Sequence, residues 1–130
     1  VKPVEFVVPR RFPSVNSWHG GPKWKYAKEA DAWLREFPPT TALNRARGRR
    51  SVTIIRVYPK APGQRRYDPD NLRGGAKPIL DALVAHGWLK GDSPAHLDLD
   101  VVQRHPTPTA GDRPWTIVLI VDAAPSEKAP

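Results

Sequence analysis

The sequence predicts one α+β domain: a small mixed sheet of about four strands with two main helices. Three observations carry this. Four short apolar stretches, VEFVV (4–8), SVTIIRVYP (51–59), LDLDVVQRH (97–105) and WTIVLIVD (115–122), are rich in β-branched residues and have strand length. Two longer segments, beginning near Tyr26 and at Asp68, carry apolar residues at helical spacing. A chain of 130 residues is the size of a single domain that can bury a core without staples.

The elements follow in order. After the first strand, PRRFPSVN holds two prolines and SWHGGPKWK a Gly-Gly-Pro break, so both read as irregular. In YAKEADAWLREF (26–37), Ala30, Trp33, Leu34 and Phe37 share one helix face, and Pro38-Pro39 stops the helix. TTALNRARGRR is a polar, basic connector, expected to be mobile. The 51–59 strand follows, then a second basic loop, KAPGQRRY. Asp68 and Pro69 read as an N-cap and a first helical residue. Leu72, Ala76, Ile79, Leu80, Leu83 and Val84 then form an apolar stripe. Gly74-Gly75 weakens this helix, and Pro78 cannot donate to the Gly74 carbonyl, so a kink is expected near 74–78. Gly87 ends it as a C′ residue. The 97–105 strand alternates as a half-exposed strand does, PTPTAGDRP turns the chain, and 115–122 is a buried strand. The domain is read as 1–124 and the remainder, 125–130, as a flexible tail. No repeat and no second domain are visible.

Charge narrows the function. The formal net charge is +8 and the isoelectric point about 10.2, so polyanions are attracted over long range. The arginines cluster at Arg10-Arg11, Arg45–Arg50 and Arg65-Arg66, and guanidinium groups match phosphate oxygens bidentately. Five tryptophans offer stacking surfaces, though most are expected in packing. There is no cysteine, which excludes disulfides and thiolate metal sites and suits a reducing cytoplasm. No signal peptide is visible. No apolar run approaches the ~20 residues of a membrane span. The four histidines, at 19, 86, 96 and 105, lack metal-ligand spacing and read as surface or packing residues. Neither a nucleophile elbow nor a phosphate loop is present.

The segment from Tyr67 to Asp92, YDPDNLRGGAKPILDALVAHGWLKGD, sets acids into this basic background. Asp70, Lys77 and Asp81 fall within about 40° of one another on a helix, on the side away from the apolar stripe. Read singly, Asp68 is a cap, Asp70 a first-turn acid favoured by the helix dipole, Lys77 and Asp81 an i,i+4 pair, and Asp92 a turn residue. Read together, they describe a metal site facing nucleic acid. The residues alone leave both readings open. An EF-hand loop is excluded, because Leu72, Arg73 and Ile79 stand where its ligands and glycine belong. Asp68-Pro69-Asp70 also fits the D-x-D of nucleotide-sugar transferases, but the chain is short for such a domain.

The segment resembles the RusA-type Holliday junction resolvases, a family common in phages. The pattern D-x-D-N-L…K-x-x-x-D-A-L…G…D reads here as Asp68, Asp70, Asn71, Leu72, Lys77, Asp81, Ala82, Leu83, Gly87 and Asp92. The strand and loop RVYPKAPGQRR and the N-terminal FPSVN also look like the family, so the resemblance spans roughly 4–122. It departs in three places. The first of the family's paired acids is Gly91, the first proline of its P-P-S is Phe12, and Asp70 and Lys77 lie farther apart than in the best-known member.

The resemblance implies a RusA-like fold and a metal-dependent endodeoxyribonuclease that resolves four-way DNA junctions by paired phosphodiester hydrolysis. It implies Mg²⁺, with Mn²⁺ as a substitute, on Asp68, Asp70 and Asp92. Lys77 would stabilise charge building on the phosphate, with Asn71 and Asp81 in support. Arg45, Arg47, Arg49, Arg50, Lys60, Arg65 and Arg66 would grip backbone phosphates. The expected partners are branched DNA and a second copy in a homodimer, with no membrane. The expected place is the cytoplasm of a bacterial or phage-infected cell. Two alternatives stand beside this: a catalytically inactive protein of the same fold that binds branched nucleic acid, and a basic scaffold protein of ribosomal type.

Overall fold

The four strand-like stretches pair into one mixed sheet, in the order β1-β4-β2-β3. The structure is a computed structural model that describes residues 3–107 and 115–123. Its elements are β1 (Val4–Val8), a 3₁₀ turn (Val15–Ser17), α1 (Lys23–Glu36), β2 (Arg50–Val57), α2 (Pro69–Gly75), α3 (Lys77–Ala85), β3 (Leu97–Arg104) and β4 (Thr116–Asp122). β4 runs antiparallel to both β1 and β2, while β2 and β3 are parallel. A parallel pair needs a long crossover, and α2 and α3 fill it. The predicted α+β class holds. Among the described residues no helix is long and apolar enough to cross a membrane.

Side-chain alternation aligns the apolar rows across the sheet. Val52 pairs with Ile120 on one side and Leu99 on the other; Ile54 pairs with Val118 and Val101. These rows pack on Trp33 and Phe37 beside α1's end, on Leu72, Ala76, Ile79 and Leu83 of the crossover, and on Trp88. Phe6 meets Phe37 and Trp88 edge-on, with ring centroids 5.3 and 5.2 Å away. The sheet thus has one face covered by helices, which is how a half-exposed β3 arises.

Helix α1 begins at Lys23, three residues before the predicted start at Tyr26. Its first turn is exposed and polar apart from Trp24, so no apolar stripe marks it. The predicted kink is present: α2 ends at Gly75, Ala76 stays helical at φ −73° and ψ −16°, and α3 starts at Lys77. Gly87 has φ +86°, the left-handed value of a C′ residue. The connector at 40–50, expected to be mobile, is anchored instead. The Thr40 N–H donates to the His86 carbonyl at 2.9 Å and the Ala46 N–H to the Gly87 carbonyl at 3.0 Å. Most of the turn expected at 106–114 and all of the tail expected at 125–130 lie outside the described residues.

The glycine pair has a packing role. A Cβ at Gly75 would sit 2.2 Å from the Pro13 carbonyl oxygen, and one at Gly74 would sit 2.5 Å from Val15 Cγ2. Only glycine lets the 12–15 segment lie this close to α2.

This generates a prediction that opposes helix propensity. Alanine favours a helix over glycine by about 1 kcal/mol. The clash with Pro13 outweighs that gain, so Gly75→Ala lowers stability by about 1–3 kcal/mol. Urea unfolding would show a lower midpoint at unchanged slope; a raised midpoint would mean that the 12–15 segment retreats without cost.

Candidate functional site

Asp68 is an N-cap in fact: its side chain accepts the Asn71 N–H at 2.8 Å, and Pro69 follows as the first helical residue. Asp70 lies in the same first turn, where the helix dipole favours an anion. Both acids are exposed. The Asn71 amide oxygen accepts the Val15 N–H at 2.9 Å and the Ser14 hydroxyl at 3.4 Å. It therefore ties the acid turn to the 3₁₀ turn, and the supporting role expected of it toward Asp70 or a phosphate becomes a role in holding the backbone.

The residues just before Asp68 are fixed from the sheet. Gln103 accepts the Tyr67 N–H at 3.0 Å and donates to the Tyr67 carbonyl at 2.8 Å. Arg56 Nη1 donates to that same Gln103 oxygen and to the Arg65 carbonyl, both at 3.0 Å. The Arg56 guanidinium carbon lies 3.6 Å from the Tyr67 ring centroid and 4.2 Å from that of Tyr58. Burial pulls this guanidinium below its ordinary pKa, opposed chiefly by Tyr67 and Tyr58. Arginine nevertheless stays charged at working pH.

A second group forms on α3. Lys77 Nζ lies 3.5 Å from an Asp81 carboxylate oxygen, and the Tyr26 hydroxyl donates to that oxygen. Lys77 also lies 5.7 Å from the Tyr26 ring centre, and Trp18 meets that ring edge-on at 5.3 Å. Burial raises the Tyr26 hydroxyl above its ordinary pKa; the hydrogen bond to Asp81, then the charges of Asp81 and Asp92, add to this. The structure thus brings together Tyr26, Lys77 and Asp81, with Asp92 within electrostatic range. Among the described residues no hydrogen bond or ion pair joins this group to Asp68 or Asp70.

Exposed cations flank both groups. Lys60, Arg65 and Arg66 precede the acid turn. Arg45, Arg47 and Arg49 line the anchored connector, and Arg49 Nε donates to the Pro94 carbonyl at 3.1 Å, two residues beyond Asp92. Arg50 must be removed from the expected phosphate-gripping set. It is only 5% exposed, paired with Asp122 at 3.0 Å, and donates to the Trp88 carbonyl at 2.8 Å. Its guanidinium serves the interior. At Gly91, a Cβ would lie 2.9 Å from His96 Cδ2, so an acid there needs the imidazole to move.

The donors can be tested against a divalent cation. Among the described residues no three His, Asp or Glu side chains converge as a cage. Mg²⁺ does not need one: it keeps several waters and takes one or two carboxylates together with substrate phosphate. Asp68 and Asp70 fit that mode, as two exposed hard-oxygen donors in one turn. Asp70 and Asp92 have no hydrogen-bond or ion-pair partner among the described residues. In comparisons with known proteins, the chain matches no protein-family model and no curated protein. Sequence reasoning missed Tyr26, Arg56 and Gln103 as parts of the site. Tyr26 lies four and seven residues before Ala30 and Trp33, on the same face as the apolar stripe, so its spacing reads as packing and left no functional signal.

The burial of the Tyr26 hydroxyl, reinforced by its bond to Asp81, makes a pH prediction. A phenol whose folded pKa is raised contributes stability that is fully present below its unfolded value, 10.0, and is lost as pH rises beyond it. The wild-type urea midpoint therefore falls more steeply between pH 9 and 11 than that of Tyr26→Phe. Parallel profiles for the two proteins would sink the assignment.

Proposed function

We propose that this protein is a metal-dependent endonuclease that cuts branched DNA, with the four-way junction as its substrate, in the manner of the RusA-type resolvases it resembles. The observation that carries the reading is the acid turn. Two carboxylates stand exposed on a turn clamped from two sides, in a chain of net charge +8, with the exposed Arg65, Arg66 and Arg73 close to them in sequence. Among the described residues no arginine pairs with Asp70, which leaves its carboxylate open to a cation.

In this reading Asp68 and Asp70 would hold Mg²⁺, or Mn²⁺ in its place, together with a substrate phosphate; Asp92, expected as a third ligand, does not converge with them among the described residues and would act through its charge beside Tyr26. The cation supplies polarisation of the phosphodiester and a hydroxide at neutral pH. Lys77 presents its ammonium, steadied by Asp81, to the negative charge that develops on the phosphate. Tyr26, kept protonated, holds Asp81 by donating to it. Lys60, Arg65, Arg66, Arg45, Arg47 and Arg49 bind flanking phosphates, which positions the strand without reading its sequence. Paired cuts on a symmetric junction call for two such sites in a twofold homodimer. The place of action is the cytoplasm of a bacterial or phage-infected cell.

One observation favours a second reading. Gly91, where the family carries an acid, is pressed against His96, as in a protein that has kept the fold for binding and lost the cutting.

The test compares labelled four-way junction with matched linear duplex, in Mg²⁺ or EDTA, for the wild type and Asp70→Asn. The expected result is paired cutting near the branch that needs metal and falls by about 100-fold or more in the variant, with junction binding retained. Tight binding without cutting in Mg²⁺ or Mn²⁺ would favour the second reading. Neither cutting nor junction preference nor metal uptake by calorimetry would leave a basic scaffold protein.

A further inference from the structure

Among the described residues two arginines are equally buried, at 5% exposure, and only one of them forms an ion pair there. Arg50 is paired with Asp122. Arg56 has around it two tyrosine rings, a side-chain amide oxygen and a backbone carbonyl, and no carboxylate forms an ion pair with it among the described residues. Ring faces and neutral oxygens compensate a desolvated cation in part. A full counter-charge is missing.

Arg56 is also a wall of a cavity of about 210 Å³, lined besides by Arg11, Gln64, Arg65, Tyr58 and Tyr67 among others, with no Asp or Glu in its lining. Arg11 and Arg65 are exposed, and neither has a carboxylate partner among the described residues. Three permanent cations therefore border one small space. Pockets for drug-sized ligands begin at about 300 Å³, so this one suits a smaller group. Guanidinium groups favour tetrahedral oxyanions through paired N–H donors. A phosphate group meets the size, the charge and the donor chemistry.

The cavity's position names the source. Tyr67, in its wall, is bonded directly to Asp68. Phosphates along one DNA strand advance by ~3.4 Å of axis each, so a strand engaging the acid turn carries a further phosphate past this opening. We propose that the Arg11–Arg56–Arg65 cavity is a subsite for a DNA backbone phosphate one or two nucleotides from the cut, a role that rests on the DNA-cleaving reading above. Arg56 is its fixed cation, held by Gln103 and the two rings. Arg11 and Arg65 close over the phosphate from solvent. The subsite sets the register of the strand against Asp68 and Asp70 and reads no base.

The experiment uses Asp70→Asn protein in EDTA and a series of four-way junctions, each with one neutral methylphosphonate in place of a phosphate near the branch. One position is expected to weaken binding by about fivefold or more. That loss should vanish when Arg11→Ala and Arg65→Ala are added, because the contact is already gone. The salt dependence of binding should fall by about one to two units of slope in the same variant. Both arginines are exposed, so folding is not at risk; Arg56→Gln, checked by urea unfolding, should erase the same position-specific loss. A profile that is unchanged by the substitutions, with junction binding intact, overturns the subsite and leaves the nuclease reading standing. Failure of the parent protein to bind DNA overturns both. Stabilisation by millimolar inorganic phosphate that depends on Arg11 and Arg65, without any position-specific loss on DNA, overturns the backbone assignment in favour of a free-phosphate site.

Discussion

The close approach of residues 12–15 to Gly74 and Gly75 is the constraint on which the acid turn depends. Backbone lies against helix with no Cβ between them, and Asn71 fastens the contact by accepting the Val15 N–H. Phe12 and Pro13 are buried behind it. On the other side, Gln103 brackets the Tyr67 backbone and Arg56 holds Arg65 and Gln103 together. The five residues from Tyr67 to Asn71 are thus gripped by the N-terminal segment and by two strands of the sheet. On the proposed nuclease reading such support matters, because small displacements of reacting groups cost rate steeply.

A division of charge follows from the same frame. Some acids are committed: Asp122 to Arg50, Glu29 to Arg10, Asp81 to Lys77 and Tyr26, and Asp31 to Arg35. The side chains of Asp70 and Asp92 have no such partner among the described residues, nor do those of Glu5, Glu36 and Asp100, although cations outnumber acids by 21 to 13 in this chain. Arg56 mirrors them on the cationic side. On the proposed reading, the acid turn and Arg56, which touches Tyr67 just before it, would meet the metal and the phosphate of one ligand.

Much of this was legible in the chain. The β-branched runs located all four strands, Pro38-Pro39 and Gly87 marked two helix ends, and Pro78 with the glycine pair foretold the break between α2 and α3. What could not be read was decided by residues far apart. Gly74-Gly75 looked like weakness because Pro13 and Val15, which need the space, lie some sixty residues earlier. Arg50 looked like one more surface cation in a basic run because its partner is 72 positions away. The connector looked mobile because its anchors are carbonyls at the far end of α3, and backbone acceptors leave no trace in residue type. Of the candidate site, local grammar exposed the N-cap and the i,i+4 pair. Tyr26 and Gln103, whose roles depend on tertiary contacts, stayed hidden.

The interior pairing of Arg50 with Asp122 bears on how short this chain can be made. Asp122 is the last residue of β4, and the next residue, Ala123, donates its N–H to the Arg49 carbonyl at 3.0 Å. A truncation that stops before 122 would strand a guanidinium under Trp88 with no carboxylate to meet it, and would free one end of β2 where the basic connector enters the sheet. A shortened chain that keeps both contacts therefore reaches Ala123, and the connector's placement leans on the final strand of the described fold.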